Sequence, residues 1–139
     1  MKRPSRIINE ANSFLDIDSN RLLLHDFLQK FSECEVYCRP VLIAYYKSNG
    51  IEIAPEEIAL NRQDIKDAFC EDGVYFDDSK LLTRLFGAEN KPGYSSCRWL
   101  RNKITHEMMI RAIREVCNRH DALIEDMNIF INEVESQSK

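Results

Sequence analysis

Two long stretches repeat their apolar residues at three- and four-residue steps, and that rhythm commits the chain to helices before any motif is considered. In the first, Leu24, Phe27, Leu28, Phe31, Cys34, Cys38, Leu42 and Tyr45 keep one face apolar to about Ser48. In the second, Met109, Ile113, Val116, His120, Leu123, Met127, Phe130 and Val134 carry a stripe almost to the end. Positions three and four apart share one face of an α-helix, so each stripe must be buried against a neighbour. Only four glycines and four prolines occur in 139 residues, too few turns for a sandwich or barrel. The expectation is one all-α domain over residues 1–139, a bundle of four main helices with one or two short ones. Residues 1–17 read as an N-terminal extension with a short helix around 7–14, and 136–139 as a frayed tail.

Local signals divide the rest of the chain. Asp18 or Ser19 is suited to cap the first long helix. Pro40 interrupts it, so either the helix kinks or two helices abut near Ser32–Cys38. Asn49-Gly50 ends the element. Pro55 and two glutamates look like a helical first turn, running through Ile58, Ile65 and Phe69, with Asn61 as an alternative start. Glu71-Asp72-Gly73 stops it. Asp77 or Asp78 caps a brief helix to Phe86, closed by Gly87, and residues 88–93 are the clearest loop. A further helix starts near Tyr94–Ser96. Whether it breaks near Glu107–Met109 is not decided by pattern.

The net charge of −4 argues against a general nucleic-acid binder, but its distribution is uneven. From Arg98 to Arg119 six basic residues stand against Glu107 and Glu115, a local +4 that leaves −8 for the remainder. Nine acids lie between Glu52 and Asp78 with only Arg62 and Lys66 among them. A polyanion would be drawn to the basic segment alone, which suits a small localised site. The five cysteines (34, 38, 70, 97 and 117) include no Cys-x-x-Cys pair, and no His-Glu-x-x-His pattern is present. Neither metal nor cofactor is expected, and reduced thiols fit a cytoplasmic protein. No apolar run approaches the ~20 residues of a membrane helix, and no signal-peptide core follows the basic N-terminus.

The chemistry concentrates in residues 97–108, Cys-Arg-Trp-Leu-Arg-Asn-Lys-Ile-Thr-His-Glu-Met. At about 100° per residue, Arg98, Arg101, Asn102, Thr105 and His106 share an arc of about 140°, while Cys97, Leu100, Ile104 and Met108 gather on the other side. Arg101 offers a planar fork for phosphate oxygens. An imidazole titrates near ~6.5 and can give or take a proton around neutrality, which suits His106. Asn102, four residues earlier, is placed to orient that ring or to hold a substrate. Arg98 is either a second phosphate contact or a surface residue. Lys103 reads as surface, with a role in steering RNA as its functional alternative. Thr105 is placed to touch substrate or bond its own helix, and Trp99 to pack. His25 and His120 read as satisfied histidines, the methionines as core, and Arg111, Arg114 and Arg119 as a widened basic rim or an outer helix face.

Arg-Asn-x-x-x-His in a helical chain of this size resembles the Arg-x(4–6)-His signature of the HEPN superfamily, carried here by Arg101, Asn102 and His106. The resemblance extends loosely over the flanking helices, residues 19–135. It implies a compact helical bundle and, in many members, a metal-independent endoribonuclease of toxin–antitoxin, abortive-infection or CRISPR systems. It also implies a homodimer whose two motif helices line one cleft, RNA as substrate, and a possible antitoxin or defence-system partner. One subgroup carries tyrosine two residues after the histidine; this chain has Met108, which departs from that subgroup. A non-catalytic HEPN-like module binding RNA, a nucleotide or a partner protein is the alternative.

Overall fold

The computed structural model describes residues 4–138, with side chains from residue 9 onward. Among these residues there are six α-helices and no strand: α1 (Pro4–Leu15), α2 (Asp18–Ser48), α3 (Arg62–Glu71), α4 (Leu81–Phe86), α5 (Cys97–Glu107) and α6 (Ile110–Gln137). A 3₁₀ turn occupies Pro55–Glu57. The all-α expectation holds.

The two long stripes meet each other. Phe27, Phe31, Cys34, Cys38 and Leu42 of α2 are fully buried, as are Ile113, Val116, Met127 and Phe130 of α6. Phe130 is the hub of an aromatic cluster, 5.4 Å from Phe86, 5.7 Å from Phe69 and 5.4 Å from Phe76 between ring centroids. Burying each such ring contributes about 1.5–3 kcal/mol, so this cluster joins α3, α4 and α6 into one core. Cys34 and Cys38 belong to that packed face, and burial pushes both thiols up, Cys34 to about 12.

Several sequence expectations change in detail. Pro40 lies inside α2, yet the helix runs unbroken, which excludes two abutting helices. The amide that proline lacks would have served the carbonyl of Val36, and Val36 is 69% exposed, so water can take its place. The cap position of α2 is Ile17; Asp18 instead opens the first turn, where a carboxylate suits the helix dipole. Of the segment read as an N-terminal extension, residues 1–3 lie outside the described residues, and α1 packs on α2 and α6 and buries Ala11 completely. At the other end α6 continues through Ser136 to Gln137, whose amide exchanges two hydrogen bonds with the backbone of Tyr75 (2.8 and 2.7 Å).

The helix expected from Pro55 is also different. It is the single 3₁₀ turn, followed by an extended strap at residues 58–60 and then α3, which starts at the alternative cap, Asn61. The Asn61 side chain accepts the Asp64 amide at 3.1 Å. Ile58 and Leu60 are buried and Ala59 exposed, the two-residue alternation of an extended segment. Before α4, Asp78 accepts the Lys80 amide, but Lys80 itself holds the cap position.

The α5 helix is fixed at both ends. Ser96 caps it by accepting the Trp99 amide at 3.1 Å and donates to the Gly87 carbonyl at 2.7 Å, tying it to the end of α4. At its C-terminus Met108 adopts the left-handed conformation (φ 49°, ψ 40°), and the amides of Met108 and Met109 return to Ile104 and Lys103. That position usually takes glycine; a side chain there is disfavoured by about 1–2 kcal/mol. The break left open by the sequence therefore exists, and it swings α6 back along α5.

Candidate functional site

Cys97, Leu100 and Ile104 fasten α5 to the core, and burial pushes the Cys97 thiol up, out of reach of nucleophilic chemistry at neutral pH. With that face committed, Arg98, Arg101 and Asn102 turn toward α2 and the 58–60 strap. Together with Arg39, Ile58, Ala59 and Leu60 they line a hollow of about 190 Å³ whose walls are mostly polar.

Arg101 does not stand in open solvent. Its side chain is 23% exposed, its Nη2 donates to Glu35 Oε1 at 2.9 Å, and its guanidinium lies 5.1 Å from the centre of the Phe31 ring. Its Nε is buried without a partner among the described residues. Glu35 is shared: its Oε2 accepts from Arg39 Nη2 at 2.8 Å. Phe31, Glu35 and Arg39 are four residues apart along α2 and so form one ladder beside α5. Arg98 makes only a long 3.5 Å bond to the Phe86 carbonyl. Three guanidiniums line the hollow and one carboxylate answers two of them, leaving a local excess of two positive charges on a chain of net −4.

Of the rest of the expected polar arc, Asn102 alone shares the hollow. His106 is exposed in the last turn of α5, is not among the residues lining the hollow, and has no hydrogen bond among the described residues. Asn102 faces the hollow and makes no bond to His106, so orientation of the imidazole by this amide is absent from the structure. Thr105 bonds the Arg101 carbonyl at 2.9 Å, the self-bonding alternative. Lys103 pairs with Glu107 at 2.6 Å, and its ammonium lies 5.9 Å from the Trp99 ring centre. Trp99 also packs against the Arg111 guanidinium, 4.5 Å away. The arc of five residues therefore divides into a basic hollow and an open imidazole.

No family model, curated protein or solved structure matches this chain.

Of the other sequence candidates, His120 is satisfied between Asp26 (2.6 Å) and Asp121 (3.0 Å), whereas His25 is exposed. Arg111 and Arg119 are held by the buried Glu115. Arg114 lies over the Phe14 ring at 5.5 Å. Met127 is core, and Met108 and Met109 are partly buried. Sequence reasoning missed Phe31, Glu35 and Arg39. Their signal was a charged pair at four-residue spacing beside the apolar stripe of α2, but nothing in the sequence says that it faces a helix more than sixty residues away.

Proposed function

We propose that this protein is a metal-independent endoribonuclease of the HEPN type, acting in the cytoplasm as part of a toxin–antitoxin or anti-phage system. The observation that carries the reading is the division of labour along α5. Arg101 is held facing a basic hollow, and His106 stands in solvent one turn further on, with no partner on its ring nitrogens among the described residues.

RNA supplies its own nucleophile, the 2′-hydroxyl, so cleavage needs no metal-bound water. The 2′-oxygen attacks phosphorus and loses its proton to a base. The bond from phosphorus to the 5′-oxygen breaks, and an acid protonates the leaving oxygen. The products are a 2′,3′-cyclic phosphate and a 5′-hydroxyl. Arg101 stabilises the charge that gathers on the phosphoryl oxygens. His106 is the proton carrier. Asn102 and Arg98 hold substrate at the hollow, while Thr105 and Lys103 stand on the approach to it. A single chain offers one imidazole where the reaction uses two proton transfers, so a two-fold dimer with its motif helices side by side supplies the second. The acid-rich segment from Glu52 to Asp78 suits a basic antitoxin or defence-system partner.

The test is incubation of purified protein with RNA in EDTA, with the fragment ends read by mass spectrometry. Cyclic-phosphate ends should appear, DNA should survive, and His106→Ala or Arg101→Ala should lower the rate at least about 100-fold. Loss of cleavage in EDTA, or full cleavage by His106→Ala, refutes the mechanism.

One observation favours a second reading. The Glu35–Arg101 ion pair and the Phe31 contact give Arg101 a structural occupation of its own. A non-catalytic module that binds RNA, a nucleotide or a partner protein would leave RNA intact in the same assay and co-purify with its ligand.

A further inference from the structure

The hollow beside α5 contains more positive charge than one scissile phosphate needs. Arg39 comes from α2, Arg98 and Arg101 from α5, and the strap of Ile58, Ala59 and Leu60 forms its lip. Gathering three guanidiniums is unfavourable unless anions answer them, and Glu35 answers only two, through one oxygen each. Arg98 has no carboxylate at all, and the buried Arg101 Nε lacks an acceptor. The burial of that nitrogen closes it off from the hollow, so Arg98 and the outward donors of Arg39 are what an oxyanion there would meet.

The geometry points to a second phosphate subsite in this hollow, where Arg39 and Arg98 hold a backbone phosphate next to the one being cleaved. Only the identity of the polymer rests on the ribonuclease reading. The ligand chemistry itself, a phosphate diester, is common to RNA and single-stranded DNA. Space fits, because a hollow of about 190 Å³ has room for a phosphate group with some of its water. Charge fits as well: Arg39 and Arg101 each give Glu35 a single Nη2 bond, one to each carboxylate oxygen, which leaves further N–H donors on both forks for a phosphate.

Single-stranded DNA lacks the 2′-hydroxyl needed for cleavage, so its binding tests the subsite without depending on catalysis. The experiment measures fluorescence anisotropy of a labelled DNA oligonucleotide and its RNA equivalent across a salt series. Wild type is compared with Arg39→Gln, Arg98→Gln and, as a charge control outside the hollow, Arg114→Gln. Circular dichroism checks each fold. Arg39→Gln and Arg98→Gln should each weaken both ligands about tenfold and flatten the log–log salt slope by about 0.7, while Arg114→Gln changes affinity by less than about twofold. Equal losses in all three variants, unchanged affinity in the first two, or binding of inorganic phosphate without any oligonucleotide binding would overturn the subsite. Uncut RNA alongside the expected binding pattern would refute the ribonuclease reading and leave the subsite standing.

Discussion

Glu115 and Glu35 each sit between two arginines, one on either side of α5, and the two clusters are completed in opposite ways. Glu115 is 6% exposed and accepts from the Ser95 amide (3.0 Å), the Ser95 hydroxyl (3.2 Å), Arg111 and Arg119. Its arginines then direct further donors to the carbonyls of Asn90 and Ser95, both at 3.0 Å. Both oxygens of Glu115 and both arginines have partners within the chain, and although the cluster also borders a hollow of about 340 Å³, it fastens the 88–96 loop to α6. Glu35 binds two guanidiniums and no backbone amide, and Arg98, the third guanidinium of the hollow beside α5, reaches no carboxylate among the described residues. A saturated cluster is complete as structure. One with donors to spare is arranged for something that arrives later.

The contrast makes unequal demands on two substitutions. Glu115→Ala removes the common acceptor of two arginines and a backbone amide in a buried place, and should lower the unfolding free energy by about 3–5 kcal/mol. Urea unfolding followed by circular dichroism measures it. Glu35→Ala lies nearer solvent and leaves no backbone amide stranded, so its stability loss should stay at about 1–2 kcal/mol. Its effect on function should be larger. Without Glu35 the Arg101 guanidinium rests on Phe31 alone, and misplacing a phosphate clamp should cut RNA cleavage about tenfold or more in protein that is still folded. Glu35→Gln, which keeps an acceptor oxygen, should recover part of that loss. Equal destabilisation at both glutamates, or cleavage untouched by Glu35→Ala, breaks the distinction between the clusters.

The sequence showed the scaffold clearly and the site by halves, for physical reasons. Periodicity reports which face of a helix is buried, so the stripes of α2 and α6, the Asn61 start and the stop at Gly73 could all be read. The α5 motif was visible because its polar residues lie within eleven positions of one another. A helical wheel gives directions around an axis, however, and not what stands opposite. That is why Arg101 and His106 shared an arc on paper while, in the fold, one faces α2 and the other water. The strap hid the rest. Ile58-Ala59-Leu60 alternates with period two, but the Pro55-Glu-Glu opening suggested a helix, and an extended lip over α5 was not expected. Glu35 and Arg39 could be recognised only once that lip and α2 were seen to close on the same space.

His120 offers the mildest test, a cation held by two carboxylates at the surface instead of a carboxylate held by two cations. Its Nε2 faces Asp26 of α2 at 2.6 Å and its Nδ1 faces Asp121 at 3.0 Å. Burial of the ring works against its charge, but the hydrogen bonds to Asp121 and Asp26 outweigh that and hold His120 above the usual histidine value. A group raised on folding contributes its full stabilisation below the unfolded value of about 6.5 and loses it as pH climbs through the raised native value. Asp26→Asn should therefore lower stability by about 0.5 kcal/mol near pH 5.5 and by less than that at pH 9, because the contribution of the charged ring fades as pH climbs through its raised native value. Parallel unfolding curves for wild type and variant at the two pH values would mean that this pair, though short, adds nothing to the α2–α6 contact. In that case saturation by geometry alone would be a poor guide to strength, and the weight placed on the Glu115 network would have to come from its burial.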